Sequence, residues 1–257
     1  MSDSKVLFCG CAFYGIVPDS TCGPVLAALR KADVDLIAVP DLCKLAAEKS
    51  PLMAELSRAA SLTIVACQPR SIRWLFHRAG APLDMGRVRF LNMREKTAED
   101  ILKEVLGKTL APGDTQPEKL QPEGEWTPWF PVIDYDRCVH CGQCHNFCLF
   151  GVYSRGNDGK VEVTLPAACK TNCPACARIC PEAAIIFPKY DKGPISGDDI
   201  LDETAEKERI KVDVEMILGS DTYSALAERR KKRRQMRLLK ETPGERVPGT
   251  ADGKRDD

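Results

Sequence analysis

The sequence predicts an α/β unit with a parallel sheet over residues 1–108, a small α+β unit over 131–192, and a charged, partly helical tail over 193–257. Three observations predict this. Short apolar runs alternate with helix-period segments from position 5 to 106, the pattern of a parallel sheet covered by helices. Eight of the 13 cysteines crowd between positions 138 and 180, among short strand-like runs. Charged residues then dominate, with Gly and Pro from about Glu241 onward, where the chain is expected to fray.

In the first unit the strand-like runs are Val6–Phe8, Val34–Val39, Leu62–Ala66 and Val88–Met93. Helical stretches between them are Val25–Lys31, Leu45–Leu56 and Ile72–Ala79; a last one, Ala98–Leu106, is opened by Thr97 and Asp100 at capping-box spacing. The arrangement is Rossmann-like. Residues 109–130 lose periodicity to Pro, Gly and charge and read as a linker. Trp126, Trp129 and Phe130 close it and are expected to dock it on a neighbour. In the second unit Ile133–Tyr135, Val152–Tyr153, Val161–Val163 and Ile185–Phe187 read as short strands of an internal two-fold repeat, with Gly142 and Pro174 in tight loops.

A length of 257 residues suits one or two domains, and 44% apolar with 29% charged residues excludes wholesale disorder. Lys+Arg and Asp+Glu balance at 37 each, so global charge implies no polyanionic partner. Met1–Lys5 has no basic region, and Cys9, Gly10, Cys11 and Gly15 interrupt the apolar stretch after it, so no signal peptide is expected. No run is long and apolar enough to span a membrane. These readings point to the cytoplasm, where abundant cysteine favours metal binding over disulfides.

Cys138, Cys141, Cys144 and Cys148 follow C-x2-C-x2-C-x3-C. Cys169, Cys173, Cys176 and Cys180 follow C-x3-C-x2-C-x3-C, with Pro181 next. Two-residue gaps wrap three thiolates around one cubane, and the three-residue gap sends the fourth to the other. One [4Fe–4S] cluster is therefore assigned to Cys138, Cys141, Cys144 and Cys180, and a second to Cys148, Cys169, Cys173 and Cys176. The extra residue in Lys170-Thr171-Asn172 is expected to perturb the second loop without removing a ligand. Paired C-x2-C units also bind zinc, but this order of eight with the trailing proline fits zinc poorly. His140 and His145 are expected to modulate the cluster environment or face solvent rather than ligate. The segment resembles the bacterial two-[4Fe–4S] ferredoxin family over roughly sixty residues. That resemblance implies one-electron transfer between protein partners.

Five cysteines remain. Cys9 and Cys11 follow the first strand, Cys43 the second, and Cys67 closes the third. The C-terminal ends of parallel strands share one edge, where ligands bind, so these four thiols should face one crevice. A third [4Fe–4S] cluster, a buried or redox-active thiol group, and zinc all suit them. Cys22, beside Gly23-Pro24 at a helix start, is left out as a packed thiol or substitute ligand.

Phe8-Cys9-Gly10-Cys11 with Gly15-Ile16-Val17, Asp41-Leu42-Cys43, Ala66-Cys67-Gln68-Pro69-Arg70 and Asn92-Met93-Arg94-Glu95 resemble the N-terminal domain of the heterodisulfide reductase A subunit family. The resemblance spans about ninety residues. It implies a [4Fe–4S] cluster there and membership of a heterodisulfide-reductase-like or hydrogenase-like redox complex. No G-x-G-x-x-G follows any strand, so no flavin is expected, and Gly107-Lys108-Thr109 is a chance P-loop fragment. Arg70 reads either as a charge near the cluster or as a structural anchor.

Arg229, Arg230, Lys231, Lys232, Arg233, Arg234, Arg237 and Lys240 form a basic run behind a helix capped by Ser220 or Asp221. It suits a solvated helix end or an acidic protein surface, and the acidic stretch Asp198–Glu208 is expected to fold back on it. Without interleaved aromatics, nucleic acid is the less favoured partner. No nucleophile, general base or substrate site is visible. The expected function is single-electron transfer between redox partners. The alternatives are an iron–sulfur subunit of a heterodisulfide-reductase-like complex, with catalysis on a partner, and a nucleic-acid-associated regulator.

Overall fold

The computed structural model describes residues 4–107, 118–122, 124–219, 221, 224–229, 231, 232 and 235. Four parallel strands, β1 (Ser4–Cys9), β2 (Asp35–Val39), β3 (Ser61–Ala66) and β4 (Val88–Asn92), form one sheet in the order β2-β1-β3-β4. Leu7 lies between Ile37 and Ile64 in register. A sheet covered on both faces buries successive residues, which is why these strands read as unbroken apolar runs: Leu7, Phe8, Ile64 and Val65 are fully buried.

The covering helices are α1 (Asp19–Lys31), α2 (Leu42–Ala47), α3 (Pro51–Ser57), α4 (Pro69–Arg78) and α5 (Ala98–Leu106). α1 packs against α5, and α2 against α4. Right-handed crossovers place them so once the strand order reverses at β1. Fully buried side chains such as Phe76 and Leu75 of α4 each contribute about 1.5–3 kcal/mol of burial.

Two helices depart from expectation. The single helix expected over Leu45–Leu56 is two, because Lys49 turns left-handed (φ 52°) and Pro51 pushes Ser50 out of the helical region. α1 starts at Asp19 rather than Val25 and carries Pro24 inside; burial of Thr21, Cys22 and Gly23 outweighs the local break. The capping reading at Thr97 holds: its hydroxyl accepts from the Asp100 amide at 3.2 Å, and Gly107 ends the helix in the left-handed region, so it serves as a cap.

The second unit pairs β5 (Val132–Ile133) with β8 (Ile185–Ile186), and β6 (Tyr153–Arg155) with β7 (Val161–Val163), both antiparallel. α6 (Gln143–Phe147) and α7 (Ala175–Arg178) stand between them, and α8 (Glu203–Leu218), capped by Asp202, packs on α7. Of the linker, residues 109–117 and 123 lie outside the described residues. Its end docks as expected, and into both cores at once. Phe130 enters the core of the sheet, while its neighbour Trp129 enters that of the second unit, 5.4 Å from Phe187 between ring centres.

A polar seam completes the contact. Arg70, at the start of α4, bonds Asp134 at 2.6 Å and the carbonyls of Ala183 (2.8 Å) and Pro194 (3.2 Å). Ser71 donates to the Ser196 carbonyl at 2.7 Å. Gly197 (φ 98°) lies so close that a Cβ there would meet the Ser71 hydroxyl at 2.1 Å. Arg70 is thus an anchor between the units.

Arg230, Arg233, Arg234, Arg237 and Lys240 of the basic run, and Ser220, lie outside the described residues. The run's first member, Arg229, stacks on Phe147 of α6 at 4.0 Å. Among the described residues, Asp198 bonds the Gly193 amide and Ser196, Glu203 pairs with Arg137, and Glu206 with Arg209, while most of the run that Asp198–Glu208 is expected to meet lies outside them. Among the described residues no helix is long and apolar enough to cross a membrane.

Candidate iron–sulfur centres

Cys138, Cys141, Cys144 and Cys180 line one cavity together with Ile133, Val139 and Ile185. The backbone makes this possible at three points. The Cys138 amide is held by the Asp134 carbonyl at 2.9 Å. His140 and Gly142, both left-handed (φ 54° and 77°), turn the chain between the first thiols and start α6. Gln143 donates to the Ile179 carbonyl at 2.8 Å and brings Cys180, 36 residues beyond Cys144, back to the loop. Burial pushes the Cys144 thiol up, and Cys180 adds to the shift ahead of Cys138 and Cys141. Cys180 itself accepts from the Ala184 amide at 3.4 Å. Cys141 is exposed, so this cavity faces solvent.

The other four thiols gather behind it. Cys148 ends α6 and Cys176 lies in α7, both buried. Burial pushes Cys169 up to about 12, with Cys148 and Cys173 adding to it. Cys176 is driven well up by burial and also feels Cys148 and Cys169. The Tyr153 hydroxyl donates to Cys176 at 3.1 Å. The extra residue of the second loop is absorbed as a turn: the Cys173 backbone amide donates to the Lys170 carbonyl at 3.1 Å, with Asn172 left-handed (φ 60°). Asparagine tolerates that conformation better than most residues. His140 accepts from the Val161 amide at 3.2 Å and stands 3.8 Å from the Cys138 sulfur, beside the centre.

The N-terminal thiols also converge. Cys9 ends β1, Cys11 follows it with φ 47°, Cys43 opens α2 and Cys67 follows β3; all are buried. β1 and β3 flank the point where strand order reverses, the usual ligand crevice of such sheets. Gly10 lets the chain pass: a Cβ there would press on Leu120 at 3.2 Å. Burial raises Cys9 well up, with Asp41, Cys11 and Cys67 adding to it. Burial likewise takes Cys67 up to about 12, with Cys11 first among the neighbours. Cys22, in α1, has its thiol 3.6 Å from the carbonyl of Gly10, the residue between Cys9 and Cys11, and of the cysteines it feels Cys11 alone.

The donor sets fit iron–sulfur clusters. Buried thiols are poor thiolates by themselves, and a bound cluster is what stabilises the deprotonated form. Among the described residues no three His, Cys, Asp or Glu side chains converge tightly enough for one metal ion. Residues 130–214 match the 4Fe-4S dicluster domain, and a pyruvate synthase subunit PorD of Methanothermobacter marburgensis is 34% identical over 83 residues, 91% of its length and 32% of this chain. The chain belongs to the 4Fe–4S dicluster ferredoxins. The matched span reaches past residue 192 into α8.

An uncharacterised ferredoxin of Methanocaldococcus jannaschii is 52% identical over 61 residues, 23% of this chain. This chain spans 41% of that relative's length. A pyruvate synthase subunit PorD of the same organism is 30% identical over 69 residues, 27% of this chain and 78% of the relative. No solved structure matches.

Residues 130–214 form a ferredoxin-like iron–sulfur electron-carrier domain. The Tyr153 contact makes the expected role of Cys176 testable, because a hydrogen bond to a sulfur that ligates a cluster stabilises the reduced form. Tyr153→Phe is expected to lower the potential of the buried ferredoxin cluster and leave the solvent-facing one in place, as read by EPR-monitored redox titration. Equal movement of both would refute a local effect.

Sequence reasoning missed four residues here: Tyr153, Asn172, Asp41 and Lys189. Asn172 carried a local signal as the inserted position, and Asp41 as part of the Asp41-Leu42-Cys43 motif; Tyr153 and Lys189 carried none. Lys189, on the strand-end segment after β8, reaches into the N-terminal crevice, where its ammonium pairs with Asp41 at 2.5 Å and stands 4.0 Å from the Cys11 sulfur.

Proposed function

We propose that this ferredoxin relays single electrons between redox protein partners through three [4Fe–4S] clusters. Cys138, Cys141, Cys144 and Cys180 hold the solvent-facing one. Cys148, Cys169, Cys173 and Cys176 hold the buried one. Cys9, Cys11, Cys43 and Cys67 hold the third, at the C-terminal edge of the parallel sheet, and no flavin takes part. The observation that carries the reading is the gathering of four buried thiols from three strand ends beside the second ferredoxin loop. Cys169 packs against the core of the sheet, and Tyr14, which follows Cys11, bonds Asn172 of that loop. Bound clusters supply the one-electron chemistry; the chain contributes thiolates, exclusion of water and counter-charge.

Iron analysis after anaerobic purification tests this. Three cubanes require about twelve iron atoms and two require about eight. Cys43→Ala or Cys67→Ala is expected to remove about four, and Cys22→Ala none. A full chain with about eight irons, unchanged by Cys43→Ala, would leave a two-cluster ferredoxin with an α/β docking unit.

A second reading places the chain as an iron–sulfur subunit of a larger oxidoreductase, with catalysis on another chain. Two relatives carry the name of a pyruvate synthase subunit, and the N-terminal motifs resemble those of heterodisulfide reductase A. Co-purification with a flavin- or thiol-active subunit distinguishes it from a free carrier. The cytoplasm is the proposed location. An acidic protein partner suits the basic run better than nucleic acid, since Arg229 already packs against the ferredoxin fold.

A further inference from the structure

Lys189 and Asp41 lie 148 residues apart, yet their side chains are 1% and 2% exposed and in contact. Burying both charges is costly, and an apolar pair would hold the units together as well. The pair's surroundings explain its chemistry. The ammonium lies 4.0 Å from the Cys11 sulfur and 5.9 Å from the centre of the Tyr14 ring. Cys43 also acts on Lys189, and Lys189 on Cys67. Asp41 anchors the arrangement from the other side: one oxygen caps α2 through the Lys44 amide at 3.1 Å, and the other takes the ammonium.

We infer that Lys189 is a positioning and charge-setting residue for the N-terminal centre, supplied by the ferredoxin unit. This rests on the reading that Cys9, Cys11, Cys43 and Cys67 hold a cluster. A cubane held by four thiolates is a net anion that gains one more negative charge on reduction. A buried cation at a ligand sulfur stabilises the reduced form more than the oxidised form, and so raises the potential. Asp41 offsets part of that effect while keeping the ammonium aimed at Cys11. The site's potential is therefore set by a side chain that is present only when the two units are docked.

The sign pattern of two opposed substitutions in the full chain tests this. In an anaerobic EPR redox titration, Lys189→Gln is expected to lower the potential of the N-terminal cluster. Asp41→Asn, which retains a capping side chain, is expected to raise it. Lys189→Arg should keep most of the wild-type value. The two ferredoxin clusters serve as internal references and should move less. Should Lys189→Gln fail to fold, with Asp41 left unpaired, Asp41→Asn alone decides by its upward shift. Twelve irons with no shift, or with shifts of the same sign in both variants, would overturn the inference and leave the three-cluster reading standing. Eight irons in the wild-type chain would overturn both.

Discussion

Cys180→Ala is expected to abolish the solvent-facing cluster and leave the buried one spectroscopically intact, although Cys180 lies only four residues from Cys176. The reason is geometric. Cys180 lines the same cavity as Cys138, Cys141 and Cys144, and Gln143 ties the two segments through the Ile179 carbonyl. Cys176 is not among the residues of that cavity, and Cys148 is the first of the cysteines to act on it. Loss of about four iron atoms, with the surviving signal still responding to Tyr153→Phe, is the expected result. Survival of the solvent-facing cluster, with loss of the buried one, would reverse the ligand assignment. Cys148→Ala is the complement, since Cys148 follows Cys144 by the same three-residue gap yet belongs to the second set.

Arg70→Ala should be strongly destabilising although it lies away from the cysteines. Arg70 and Asp134 are 12% and 6% exposed, so truncating the arginine strands a buried carboxylate and removes donors from two carbonyls. Breaking a buried pair from one side costs about 3–5 kcal/mol. The measurement is the shift in urea midpoint of the holoprotein, followed through cluster absorption. Arg70→Lys should recover only part of the loss, because a single ammonium cannot span the three acceptors that the guanidinium fork reaches. A change below about 1 kcal/mol would mean that water replaces the guanidinium and that the seam contributes little.

Much of this was legible in the residues. The four parallel strands show as apolar runs because helices cover both faces of the sheet, and each run lies where a strand forms. Cysteine order showed the dicluster spacing, and the crossed ligand sets drawn from its gap lengths stand as a proposal that Cys180→Ala tests. The same reasoning joined Leu45–Leu56 into one helix, although Pro51 excludes helical geometry at Ser50. It also began α1 too late, because it weighed Gly23-Pro24 without the burial that holds that turn.

What the sequence by itself determined is the repeated local pattern: strand runs, caps, the dicluster spacing, and cysteines at strand ends. Each follows from the period of a helix or strand or from a loop of fixed length, so neighbouring residues suffice to express it. Only the tertiary structure decided which distant groups meet. Arg70 had two equal readings until Asp134 and two carbonyls closed around it. Phe130 and Trp129, adjacent in the chain, enter different cores. Lys189 gave no signal at all, because a lone lysine after a strand looks like any solvated charge. Its burial against Asp41 and Cys11 depends on docking one unit on another, and the energy of that contact appears in no local pattern.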